Sequence, residues 1–70
     1  MVEIKFVENL KQLMKDEGIT QLQLSKSIGV SQSAISNWLK GNKEPSLTSI
    51  WLLADYFGYT VDELLGREKI

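Results

Sequence analysis

The chain contains no cysteine and no histidine. The first absence excludes disulfides and thiolate chemistry. The two together remove the commonest nucleophile, the commonest general base and most transition-metal sites. No glycine-rich phosphate loop and no metal-ligand cluster takes their place. Asp62 and Glu63 are adjacent carboxylates, but neighbours on a helix do not face each other. An enzyme is therefore not expected, and neither is a cofactor or a metal. No apolar run approaches the ~18–20 residues of a membrane span. The opening MVEIKFVENL has no basic region ahead of a signal-like core. A cytoplasmic protein with no membrane partner follows, and no small-molecule site is evident.

What remains suits a small globular domain. The 70 residues are 43% apolar and 24% charged, with five Gly and one Pro. That apolar content argues against disorder, and the length allows one domain, residues 1–70. The net charge is −1, unevenly spread. Residues 1–17 sum to −1: Lys5, Lys11 and Lys15 against Glu3, Glu8, Asp16 and Glu17. Residues 44–70 sum to −3. Residues 18–43 hold Lys26, Lys40 and Lys43 and no acid, hence +3. A surface that excludes carboxylates fits a negatively charged partner.

The apolar pattern is helical throughout and carries no convincing strand. A first helix is expected over about 3–17, where Phe6, Leu10, Leu13 and Met14 follow the helical rhythm before Gly18. Thr20 and Gln23 read as a capping box for a second helix, 21–28, with Ile19 as staple and Leu22, Leu24 and Ile28 as its apolar residues. Ser31 caps a third, 32–40, with Ala34, Ile35, Trp38 and Leu39. Ser46 caps a fourth, 47–57, with Leu47, Ile50, Trp51, Leu53, Ala54 and Phe57. Thr60 and Glu63 form a second capping box for a fifth, 61–65, and residues 66–70 are left as a frayed tail. The expected fold is all-α: a compact five-helix domain.

Only GVS separates the second and third helices. Gly29 can take the left-handed conformation that redirects the chain, and Val30 plugs the corner. So short a link forces a steep crossing, the helix-turn-helix geometry. Leu24, Ile28, Val30, Ile35 and Trp38 then point inward. Ser25 falls where the helices come closest, a position that needs a small residue.

At these residues the sequence resembles the phage-repressor type of DNA-binding domain, the Cro/CI or XRE family. The resemblance covers about residues 6–66. It rests on the Thr-Gln opening helix two, SIGVSQSAIS at the turn, NW-x-x-G ending helix three, Pro-Ser-Leu before helix four, and the closing Asp-Glu-Leu-Leu. It implies the lambda-repressor-like fold. Many members pair a basic residue of helix one with a Glu late in helix three. The matching positions here are Met14 and Leu39, both apolar, and they are expected to touch. Exchanging both partners of a buried ion pair is often neutral or stabilising.

The third helix shows a polar side of amides and hydroxyls. Gln or Asn can bond adenine through two atoms in the major groove, hydroxyls can donate or accept, and carboxylates would repel the phosphates. Gln32, Ser33, Ser36 and Asn37 occupy positions where family members contact bases. The resemblance also implies phosphate contacts for Ser31 and for Lys40, Asn42 and Lys43, just past the helix. Gln21 and the free N–H groups beside it can hold another phosphate. Three lysines give a shallow salt dependence and weak binding by one copy, which a homodimer on a pseudo-palindrome would remedy. On helix four, Ile50, Leu53, Ala54 and Phe57 suffice for a core. Trp51, Leu52, Tyr56 and Tyr59 are surplus: either Trp51 completes that core with the tyrosines half-buried, or the surplus of helix four, with helix five, forms the dimer, through Leu52, Tyr56 and Tyr59.

The leading expectation is a sequence-specific double-stranded DNA-binding transcriptional regulator, such as a repressor, that acts by covering a promoter or contacting polymerase. One alternative is an antitoxin using the same module and binding a toxin. Another is a protein-interaction module that has lost DNA.

Overall fold

In the computed structural model, which describes residues 4–68, five α-helices follow one another with no strand among the described residues. They are α1 (Phe6–Glu17), α2 (Gln21–Ile28), α3 (Gln32–Lys40), α4 (Leu47–Phe57) and α5 (Val61–Leu65). The all-α fold is the expected one.

Side chains start the last four helices. Gln23 N–H donates to Thr20 Oγ1 at 3.1 Å while Thr20 N–H donates to Gln23 Oε1 at 2.8 Å. The Thr60 and Glu63 pair repeats this at 3.0 and 2.9 Å. Ser31 and Ser46 accept from Ala34 N–H and Ser49 N–H at 3.0 and 3.1 Å. Each cap satisfies a donor that the first helical turn leaves unpaired.

The first helix departs from expectation. It begins at Phe6, and its N-cap, Lys5, makes no side-chain cap bond. Lys5 N–H instead donates to Leu65 O at 2.9 Å. The chain ahead of α1 is thus bonded to the end of α5 rather than wound into another turn. Residues 1–3, the start expected near residue 3 included, lie outside the described residues. From inside α1, the Asn9 amide donates to Glu63 O and Leu64 O, both at 3.1 Å. These are late carbonyls that a helix cannot satisfy internally. The approach is close: a Cβ on Gly66 would come within 2.9 Å of Lys5 Cβ. The expected tail also starts tied, since Arg67 N–H donates to Asp62 O at 2.8 Å. Residues 69 and 70 lie outside the described residues.

Each helix sends one fully buried side chain to the centre: Leu10, Leu24, Ile35, Leu53 and Leu64. α1 packs on α3 and α5, α2 on α3 and α4, and α4 on α5. Phe6 meets Trp38 edge to face, ring centroids 6.3 Å apart, which fastens the inner side of α3 to α1. Met14 is buried and Leu39 packs against the same core, so the two apolar replacements both serve it. Of the two outcomes open for Trp51, the structure shows the exposed one. Trp51 does not complete the core, being 70% exposed, and Leu22 is exposed as well.

Candidate nucleic-acid interface

The turn between α2 and α3 is held from three directions. Gly29 lies at φ 74°, in the left-handed region where a Cβ would be strained. Its N–H donates to Ser25 O at 2.9 Å. Ser25 Oγ donates to Val30 O at 2.6 Å. Val30 is half-buried against the core. With Ser31 as cap, α3 begins at once, and Ile35 and Trp38 turn inward.

The opposite side of α3 follows from its period. At about 100° per residue, Ser33, Ser36, Asn37 and Lys40 fall at i, i+3, i+4 and i+7 within an arc of roughly 100°. Ser33 and Lys40 are exposed; Ser36 and Asn37, on the shoulders of the arc, are half-buried. Gln32 lies at the edge of this arc, but in the first turn, where no preceding turn covers it, and it is exposed. The side chains are neutral apart from Lys40. Neither α2 nor α3 has an acidic residue in its first turn.

The flanking residues lie on α2 and just past α3. Gln21 is half-buried at the first position of α2, with Leu22 beside it. Lys40, Asn42 and Lys43 are exposed at the far end of α3. Asn42 N–H donates to Asn37 O at 3.0 Å and Gly41 N–H to Trp38 O at 3.0 Å, which fixes the backbone that carries these side chains. Lys26 is exposed in the last turn of α2.

A second surface lies on α4. Leu47, Trp51, Leu52 and Tyr56 are 81%, 70%, 38% and 42% exposed. The same period divides them into two apolar edges. Leu47 and Trp51 flank one side of the buried stripe and Leu52 and Tyr56 the other, about 140° apart, with Thr48 and Asp55 between. Tyr59 is half-buried and packs against the core. Sequence periodicity identified the Leu52 and Tyr56 edge. It also counted Trp51 as surplus to the core, but left open whether Trp51 completes it, and it did not single out Leu47 as the neighbour with which Trp51 forms a second edge. It missed the Ser25 hydroxyl bond, whose only signal was the need for a small residue at the crossing.

The profile of the helix-turn-helix family matches residues 10–64. The HTH-type transcriptional activator BcrR of Enterococcus faecalis is 37% identical, over 96% of this chain and 33% of its own. The HTH-type transcriptional regulator AnsR of Bacillus subtilis is 35% identical, over 90% of this chain and 54% of its own. The chain thus spans between a third and about half the length of these curated relatives. A crystal structure of a transcriptional regulator from Listeria innocua superposes with a TM-score of 0.88 at 28% identity, over 99% of this chain and 64% of that one. The antitoxin PezA of Streptococcus pneumoniae is also similar, 25% identical over 90% of this chain and 40% of its own.

Proposed function

The chain belongs to the helix-turn-helix family of transcriptional regulators, and on that premise we propose that it binds double-stranded DNA in a sequence-specific manner, as a homodimer. In this reading α3 lies in the major groove and Gln32, Ser33, Ser36 and Asn37 contact base edges. Gln21, Ser31, Lys40, Asn42 and Lys43 hold the sugar-phosphate backbone on either side. The observation that carries the reading is the outward arc of α3: amides and hydroxyls without a carboxylate, inside a stretch of 26 residues that has none. The experiment is selection of binding sites from a random duplex pool by the purified protein. An enriched motif is expected. Failure to bind any duplex at ~50 mM salt, where electrostatic binding is strong, would overturn the proposal.

The homodimer draws support from magnitude. One module buries only about 600–1,000 Å² on DNA, and three lysines release few counterions. Pairing through Leu52 and Tyr56 of α4, with Tyr59 beside them, doubles the contact. The domain measures 32 × 24 × 20 Å, no larger in any direction than the ~34 Å between half-sites one turn apart. Two copies can therefore lie side by side on one face of a duplex.

A second reading rests on the exposed α4 surface. In an antitoxin, a DNA-binding module also holds a toxin, and the Leu47 and Trp51 edge offers apolar area for such a partner. Purification of the chain from its own cells with a small protein bound at a fixed ratio, lost on Trp51→Ser, is the result that favours it.

A further inference from the structure

We propose that Ser25 is a positioning residue for α3: its hydroxyl holds the Val30 carbonyl, sets the tilt at which α3 leaves the turn, and thereby sets how sharply the protein discriminates between DNA sequences. The last step rests on the DNA-reading role proposed above.

Space alone does not account for a serine here. Where α2 and α3 cross, alanine or glycine would also fit. The hydroxyl adds a bond of 2.6 Å to Val30 O. Meanwhile the Ser25 carbonyl accepts the Gly29 N–H at 2.9 Å. One residue of α2 therefore grips both sides of the reversal. The Val30 carbonyl belongs to the peptide unit that ends at Ser31. Ser31 in turn starts α3, through Oγ to Ala34 N–H at 3.0 Å and its carbonyl to Ile35 N–H at 3.3 Å. A rotation of that peptide unit swings α3 as a whole.

The lever is long compared with the tolerance at its end. Nine residues make a helix of about 13 Å, so a 5° change in tilt carries its far end by about 1 Å. A hydrogen bond tolerates a spread of about 0.5 Å in length. Asn37, about 9 Å from the turn, is carried by most of that distance, and its amide contact to a base edge is lost or distorted, whereas Gln32, beside the pivot, moves little. Lys40 and Lys43 are flexible point charges and keep their phosphates. Loss of the hydroxyl is thus expected to reduce discrimination and to spare general affinity.

Ser25→Ala tests this. Wild type and variant are titrated, at one salt concentration, against the duplex that wild type selects and against random-sequence duplex. Affinity for the selected site should fall about tenfold, and affinity for random duplex less than about twofold. Leu53→Val, a core change in α4, lowers the melting temperature but should leave the ratio of the two affinities unchanged. Residual dipolar couplings on the free proteins should report α3 turned against α2 by about 5° or more in Ser25→Ala, the tilt that moves its end by 1 Å. An unchanged affinity ratio, or an unchanged interhelical angle, overturns the proposal whatever the melting temperature does. If wild type binds no duplex, the DNA-reading role falls, and the dipolar couplings still decide whether Ser25 sets the tilt.

Discussion

Helices α3 and α4 start and stop by the same devices. Ser31 and Ser46 accept from the backbone three residues on, and Gly41 and Gly58 end the two helices. Both contribute buried side chains to one core, Ile35 and Trp38 from α3 and Leu53, Ala54 and Phe57 from α4. They differ on the outside. α3 shows Ser33, Ser36, Asn37 and Lys40; α4 shows Leu47, Trp51, Leu52, Asp55 and Tyr56. The first surface is polar and free of acid, suited to a hydrated polyanion whose edges donate and accept hydrogen bonds. The second is apolar with a carboxylate in its middle, suited to protein and repelled by phosphate. Helix-forming signals are the same in both, so they carry no information about partners. That information lies in the residues the core does not use.

The contrast collapses when the shared core fails. Trp38→Ala removes the ring that Phe6 meets and should cost about 3–5 kcal/mol, read as a shift of the denaturation midpoint. In a domain of this size that is most of the stability, and both surfaces should vanish together. Substitutions on one face should leave the other intact. Gln32→Ala or Asn37→Ala should cost about 1–3 kcal/mol on the selected site, with relaxed choice at one base position and no change in self-association. A uniform loss over all duplexes would remove base reading from these residues. Leu52→Glu should weaken the dimer at least about tenfold, near 1.4 kcal/mol, in sedimentation equilibrium, and leave half-site binding unaltered. A wild-type mass that stays monomeric at high micromolar concentration would remove the dimer from α4. The smallest effect is expected from Lys43→Ala, which should weaken every duplex alike and lower the salt slope by about 1.

Much of the fold was legible in single residues. Thr20, Ser31, Ser46 and Thr60 cap the helices that follow them, because capping is settled within three or four residues of chain. The turn at Gly29 was legible for the same reason. The start of α1 was not. It depends on Lys5 meeting Leu65 and on Asn9 meeting Glu63 and Leu64, partners more than fifty residues away. The polar arc of α3 was legible from its period, while the period of α4 marked Trp51 as surplus to the core without deciding whether a neighbour covers it.

The sequence by itself determined where the chain turns, which helices form and which face of α3 is free of acid, since short-range bonding, period and composition decide these. Tertiary structure alone decided that Leu47 and Trp51 stay uncovered, how the ends of α1 and α5 are tied, and what the Ser25 hydroxyl grips. Each of these depends on which neighbour arrives beside a residue, and a helical period gives only the direction in which that residue points.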